Sequence, residues 1–228
     1  MKKNIILAGD SIFDNVRYIK SGEPDVTKQL QGLLDKDDKV SRLAIDGHVI
    51  NHVEGQLRNL PNDTTHLVIS VGGNDTLDIL EEFSRKTEDI GDSFLKLHDL
   101  RESFESDYIK MLTNALSFNI PTTLCTIYHP CFDHSEMERV SDYMILGVNN
   151  ETLQKMAMTA LPIFNDVIFQ EAVNFNLPVI DLRLIFNDES DYANPIEPSA
   201  IGGIKMAKVI RKVVYNHDFS SYYTIVYK

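Results

Sequence analysis

The sequence of 228 residues contains no tryptophan and only two cysteines, Cys125 and Cys131. Two cysteines cannot form the disulfide framework on which small secreted proteins depend. No histidine or cysteine pair lies at helical spacing beside them, so the pattern does not indicate a zinc site and no metal is expected. We therefore expect both side chains to be reduced thiols in a cytoplasmic protein.

Basic side chains are scarce as well, since 22 lysines and arginines stand against 34 aspartates and glutamates, which gives a net charge of −12. So acidic a chain has little with which to neutralise phosphates, and this excludes nucleic acid or an anionic membrane as its main partner. No apolar run approaches the ~18 residues that span a bilayer. The apolar segment after Lys2 and Lys3 is too short for a signal peptide, so we expect an intact N-terminus.

Five short apolar runs, each closed by turn residues, predict the strands of a sheet. Hydrophobic residues make up 43% of the chain, which suffices for a core, and the length suits a single domain over residues 1–228. Most of the runs are continuous rather than alternating, which is typical of strands buried on both faces. They cover residues 5–8, 40–45, 66–71, 122–128 and 178–182.

Helical periodicity fills the intervals between these runs. Apolar residues recur every three or four positions over 94–115 and 153–172, and Ser199 is a good N-cap for a last helix that reaches Val213. Pro162 is expected to start or kink a helix. The alternation predicts a three-layer α/β fold of about five parallel strands with helices on both faces, with the ligand site beyond the carboxyl ends of the strands.

Two segments exceed the minimum that such a fold requires. Residues 78–107 are long and charged for a crossover, which leaves open a lid or an ordinary helical insertion. Residues 221–228 favour β structure and would add an edge strand or pair with a second copy of the chain in a homodimer. No phosphate-binding or dinucleotide-binding glycine motif follows the first run, which argues against a nucleotide enzyme.

Polar motifs follow the first three runs, at the edge where the ligand site is expected. Ser11, in Gly-Asp-Ser, either presents its hydroxyl to a substrate or caps the next helix. Gly47 either offers a backbone N–H to an oxyanion or only completes a turn. Asn74, in Gly-Gly-Asn-Asp, either directs its amide at the same oxyanion or caps a helix. The three motifs together are more informative than any one of them.

In order and spacing these motifs resemble the SGNH family, also called the GDSL esterases and lipases. The strand–helix alternation is similar to the flavodoxin-like fold of that family over nearly the whole chain. The resemblance implies that Ser11 is the nucleophile. It also implies an oxyanion hole formed by the backbone N–H groups of Ser11 and Gly47 and by the side chain of Asn74, with no metal or organic cofactor.

The sequence departs from the family where an Asp-x-x-His block usually precedes the last helix. Here Asn194 stands in the place of the aspartate and Glu197 in that of the histidine, and no histidine lies between His134 and His217. Glu197 is therefore the expected general base. Burial would raise the pKa of its carboxyl and a helix N-terminus would lower it.

Several other residues are candidates for a role at the site. His129 follows the fourth run directly and is the first alternative base, ahead of His48 and His134. Asp191 would share a proton with Glu197 if the loop brought the two carboxyls together. We assign Asp10, His129 and Asn194 to substrate binding.

The function predicted from these residues is that of a serine hydrolase. It would cleave a small ester, thioester or O-acyl group through an acyl-enzyme intermediate, with a small-molecule acyl ester as its partner. Because the usual histidine is missing, a non-catalytic acyl- or glycan-binding module that keeps the same cleft is the alternative. A structural role for the tail over 222–227 is a third possibility.

Overall fold

The computed structural model describes residues 2–77, 87–132 and 149–228. Six strands form one sheet: β1 (Asn4–Gly9), β2 (Lys39–Arg42), β3 (His66–Ser70), β4 (Thr122–Cys125), β5 (Val179–Ile180) and β8 (Val226–Tyr227). Their order is β2-β1-β3-β4-β5-β8, and every neighbouring pair is parallel. A separate antiparallel pair joins β6 (Tyr192–Asn194) to β7 (Glu197–Pro198). The parallel sheet confirms the predicted fold class.

Helices cover both faces of the sheet. They are α1 (Val26–Leu33), α2 (Val53–Leu57), α3 (Ile90–Leu116), α4 (Asn150–Asn174) and α5 (Ala200–Asn216). Helices α1 and α5 pack on one face in a cluster with Ile5 and Leu7, whereas α2, α3 and α4 pack on the other with Ile6 and Ala8. Every residue of β1 is buried. This is why the strand sequences are continuously apolar instead of alternating.

Helix α4 contains Pro162, so the expected helix start at that residue is wrong, whereas the expected kink stays a prediction. The helix neither starts nor ends there but runs continuously from Asn150 to Asn174, and Asn149 caps it by accepting a hydrogen bond from the N–H of Thr152. A proline inside a helix costs about 3 kcal/mol. Nine residues of α4 are buried, and that burial offsets the cost. Ser199 caps α5 as predicted, accepting from Ile201 and Gly202.

The two additional segments are placed as follows. Of residues 78–107, 78–86 lie outside the described residues, and from Ile90 onward the chain is in α3, whose second half is buried against the sheet. Strand β8 lies beside β5 at the sheet edge, with Val226 opposite Val179. Within the described ranges, no helix is both long and apolar enough to cross a membrane.

Gly9 ends β1 at a point that admits no side chain. Its φ is +131°, and a Cβ there would lie 1.7 Å from the carbonyl oxygen of Ser70. We predict that Gly9→Ala destabilises the fold by on the order of 3 kcal/mol or more, measured by urea unfolding. Gly55→Ala in α2 is the matched control, because nothing lies within 4 Å of its Cβ position. Equal stability of both variants would contradict this account.

Candidate active site

The carboxyl edge of the sheet holds a narrow pocket of about 80 Å³. Its polar lining comes from the chain after β1 and β3 and from β7, and consists mainly of Asp10, Ser11, Asn74 and Glu197. Its apolar wall comes from α4 and the chain after β4, and includes Ile127, Phe132, Ala157, Ala160, Leu161 and Phe164. The fold therefore brings Ser11, Asn74 and Glu197, which lie far apart in sequence, to one small cavity.

Ser11 lies in a tight turn directly after β1. The carbonyl of Asp10 accepts hydrogen bonds from the N–H groups of Phe13 and Asp14, which fixes the turn. Among the described residues, no acceptor takes the backbone N–H of Ser11 or of Gly47. The space beside Gly47, whose φ is +79°, is open. Two backbone donors are thus left without partners in loops that follow adjacent strands.

Asn74 is held by the second of these loops. Its Nδ2 donates to the carbonyl oxygen of His48 at 2.8 Å. A carboxamide nitrogen carries two hydrogens, so one N–H remains for a ligand in the pocket. This contact ties the Gly47–His48 turn to the chain after β3, so that the three donors named from sequence belong to connected loops.

Glu197 faces Ser11 from a buried position. Its side chain interacts with the Ser11 hydroxyl, and its Oε2 is buried without a hydrogen-bond partner among the described residues. Burial raises the pKa of Glu197 to about 8; the interaction with Ser11 opposes the shift, and the charge of Asp10 adds to it. A carboxyl with such a pKa is a much stronger base than an ordinary glutamate.

Asp10 is a second buried carboxyl in the same pocket. Its Oδ1 accepts from the N–H of Ile12 at 3.1 Å. Burial raises the pKa of Asp10 to about 7 against the effect of that hydrogen bond, and the charges of Asp75 and Asp46 raise it further. Two neighbouring buried carboxyls disfavour double ionisation, so near neutral pH the pair holds at least part of one proton.

Backbone contacts position Glu197. The carbonyl oxygens of three residues on either side of Glu197 each accept a hydrogen bond: Pro195 from the N–H of Cys131 at 2.8 Å, Ile196 from the Tyr128 hydroxyl, and Pro198 from Asn15 Nδ2 at 3.2 Å. Asn194 is the strand partner of Glu197 in the β6–β7 pair, but its side-chain Oδ1 accepts from the N–H of Ile196 in its own turn. Asn194 does not line the pocket.

The alternative bases are placed elsewhere. His129 does not line the pocket, and burial together with the charge of Arg183 lowers the pKa of its imidazole. His48 faces a different groove. His134 lies outside the described residues. Asp191 accepts a hydrogen bond from Lys205 Nζ at 2.8 Å and does not line the pocket.

Gln56 supports the site from α2, and no signal in the sequence pointed to it. Its Oε1 accepts from the N–H of Gly9 at 2.8 Å and its Nε2 donates to the carbonyl of Gly9 at 2.7 Å. These partners fix the orientation of the amide. Nε2 also lies 2.9 Å from His48 Nδ1, which must therefore be the acceptor. Gln56 thus connects the Ser11 turn to the Gly47–His48 turn, a role that no helix-surface glutamine reveals in sequence.

Comparison with solved structures identifies the fold. The extracellular lipase of Streptomyces rimosus matches with a TM-score of 0.64 over 92% of this chain and 99% of its own, at 13% identity. Esterase EstA from Pseudoalteromonas matches with 0.60 over 94% and 100%, at 16% identity. A lipolytic protein of the G-D-S-L family from Desulfitobacterium hafniense matches with 0.60 over 93% and 99%, at 14% identity.

No family model matches the chain, and no curated protein matches it in sequence. The structural likeness covers nearly the full length on both sides, so the chain has the α/β fold of the GDSL and SGNH lipases and esterases. The resemblance inferred from the three motifs is confirmed at the level of the fold.

The buried carboxyl has a measurable effect on stability. The pKa of Glu197 is raised from 4.5 to about 8. Its ionisation therefore lowers the free energy of unfolding as the pH rises through that interval. We predict that Glu197→Gln is more stable than wild type at pH 8.5 by on the order of 2 kcal/mol, and close to it at pH 4.5. Urea unfolding at both pH values measures the difference.

Glu102→Gln, on the exposed side of α3, removes the same charge and should show no such pH dependence. A Glu197→Gln variant that is less stable than wild type at both pH values would show that the carboxylate is stabilised in the fold.

The contact with Gln56 fixes the tautomer of His48. We predict that the imidazole carries its proton on Nε2 at neutral pH, because Nδ1 accepts from Gln56. Long-range ¹H–¹⁵N correlation spectra measure the protonation of each ring nitrogen. Gln56→Leu should remove the preference and destabilise the fold by about 1–3 kcal/mol, since the Gly9 N–H loses its side-chain acceptor and the Gly9 carbonyl keeps the N–H of Ile45 but loses the Gln56 amide. A protonated Nδ1 in the wild type would contradict the assignment.

Proposed function

We propose that this protein is a serine hydrolase that cleaves a small ester, thioester or O-acyl group through an acyl-enzyme intermediate. The observation that carries the proposal is the buried carboxyl of Glu197 against the hydroxyl of Ser11, in a pocket that also presents the Asn74 amide. A nucleophile, a base with a raised pKa and oxyanion donors are the parts that acyl transfer requires.

In the acylation step Ser11, Glu197 and the three oxyanion donors each have a defined role. Ionised Glu197 takes the proton of the Ser11 hydroxyl as Oγ attacks the acyl carbon. The carbonyl oxygen becomes an oxyanion, held by the N–H groups of Ser11 and Gly47 and by the second N–H of Asn74. Glu197, now neutral, donates its proton to the leaving oxygen or sulfur as the bond to the acyl carbon breaks. The products are an acyl-serine and the released alcohol or thiol.

Deacylation repeats the same steps with water. Glu197 takes a proton from water as the water oxygen attacks the acyl-serine, and the proton then passes to Ser11 Oγ as the acid leaves. With a pKa of about 8, roughly one-tenth of Glu197 is ionised at pH 7, and that fraction is a stronger base than an unperturbed carboxylate. Burial thereby lets a glutamate perform the role that an imidazole performs in the resembling family.

The structural neighbours support a hydrolase. They are a lipase, an esterase and a lipolytic protein, and the Pseudoalteromonas esterase is inhibited by monoethylphosphonate. The alternative is a non-catalytic module that binds an acyl or glycan ligand, which the missing histidine suggested. The pKa of Glu197 favours the enzyme, because a carboxyl held at an ordinary pKa would be a poor base for a serine.

A fluorophosphonate probe tests the nucleophile and the base together. We predict that wild type is labelled faster at pH 8.5 than at pH 6, because ionisation of Glu197 activates Ser11. Labelling should be absent in Ser11→Ala and fall by about 10²–10⁴ in Glu197→Gln. Gel fluorescence against time gives each rate. Asn74→Ala should lose about 10²–10³ in ester hydrolysis through its oxyanion contact.

Glu197→His supplies the matched comparison, since it installs the residue usual in the resembling family. Labelling of that variant should reach its plateau near pH 6.5 to 7 rather than near pH 8. Wild-type labelling that is unchanged in Glu197→Gln would exclude Glu197 as the base. Absence of labelling in wild type at both pH values, with saturable ligand binding, would favour the binding module.

A further inference from the structure

The pocket offers different surroundings to the alcohol part and to the acyl part of an ester substrate. Glu197 must touch the leaving oxygen in order to protonate it, so the alcohol part lies on the side of Glu197. The acyl part is left with the apolar portion of the lining, to which Ala160 and Leu161 of α4 belong. The two ends of the bound ester therefore meet different chemistry.

The charges around the alcohol end have one sign. Asp10 and Glu197 are buried carboxyls, 2% and 5% exposed, and neither has a cationic partner among the described residues. The charges of Asp46 and Asp14 also act on Glu197. The described residues that line the pocket include no lysine, arginine or histidine. Glu197 is ionised in the form that activates Ser11, and a ligand at this end then meets a negative charge that no described lining residue neutralises.

Two arginines approach this region, and each compensates part of the charge of one of the outer carboxylates. Arg42 forms an ion pair with Asp14. Arg17 lies 3.6 Å from Asp46, but its side chain is 78% exposed and therefore well screened by solvent. The hydroxyl of Tyr18 donates to Asp46, which leaves an aromatic ring and a carboxylate close to Glu197. Carboxylates beside an aromatic ring are a favourable setting for an organic cation.

We infer that the site selects esters that combine a short apolar acyl group with a cationic alcohol, and that it rejects anionic esters. This inference rests on the proposed function. An apolar cavity of about 150 Å³ holds one benzene molecule, so the pocket of about 80 Å³ fits an acyl group of about two to four carbons. The predicted order of kcat/KM is cationic, then neutral, then anionic.

Three butyrate esters of similar size test the alcohol preference. They are butyrylcholine (a cation), 3,3-dimethylbutyl butyrate (its neutral carbon analogue) and the butyrate ester of 2-hydroxyethanesulfonate (an anion). Release of butyrate is measured at low ionic strength for each. We expect kcat/KM to fall by roughly tenfold from cation to neutral ester and by at least that again to the anion. High salt should reduce both differences in kcat/KM, because it screens the charges.

A pair of variants separates the local field from the intrinsic reactivity of each ester. Asp46→Asn removes one negative charge near Glu197 and should lower the ratio of cationic to neutral kcat/KM severalfold. Glu102→Gln removes the same charge from an exposed position on α3 and should leave that ratio unchanged. Because each ratio compares the same two esters, their leaving-group reactivities cancel.

The acyl preference is tested with the neutral ester series. Ala160→Phe should lower kcat/KM for the butyrate ester at least tenfold more than for the acetate ester, because the ring fills the apolar end. Met158→Phe, exposed on the same helix, is its control. Hydrolysis of all three alcohol esters at equal rates would overturn the inference alone. Hydrolysis of none of them by a protein that the fluorophosphonate labels at Ser11 would also overturn the inference alone, whereas no hydrolysis together with no labelling would overturn the proposed function with it.

Discussion

The burial of the Glu197 carboxyl against Ser11 is the interaction on which the site depends. In water this side chain would be ionised at neutral pH and too weak a base to activate a hydroxyl. Inside the pocket its pKa rises to about 8, chiefly through burial. The same burial costs stability, because an ionised carboxylate without a hydrogen-bond partner for Oε2 is unfavourable in a largely apolar cavity. Other contacts at the carboxyl edge of the sheet therefore have to hold the Glu197 carboxyl in this position.

Side-chain amides supply much of that rigidity. Gln56 bonds both backbone groups of Gly9, and Asn165 of α4 bonds the N–H and carbonyl of Ile127 at 2.7 and 2.8 Å. Gln154 of the same helix bonds the carbonyl of Pro130 and the N–H of Phe132. Each amide supplies hydrogen-bond partners to backbone groups at the end of a strand or just beyond it. The loops that carry the site are thereby held almost as firmly as the sheet itself.

Local sequence signals predict the parts of this structure that they determine. Strands β1, β3, β4 and β5 are buried throughout and follow from continuous apolar runs, whereas β2 is only partly buried. The position of Ser11 follows from the Gly-Asp-Ser that closes the first run. The continuous helix through Pro162 was not predictable, because its stability depends on burial against distant elements. Gln56 was not predictable either, since its partner Gly9 lies 47 residues away.

In the proposed mechanism Glu197 acts in the place of a histidine, and such a base needs different surroundings. An aspartate orients an imidazole and stabilises its protonated form, but it would repel a carboxylate. Here Asn194 stands in that place, and its side chain accepts a hydrogen bond within its own turn. Orientation comes from hydrogen bonds to the backbone carbonyls around Glu197, which carry no net charge. The nearby Asp10, Asp14 and Asp46 are then useful, because their charges raise the pKa of Glu197 further. The acidic surroundings that strengthen the base also set the sign of the field that a substrate meets, so basicity and charge preference share one physical origin.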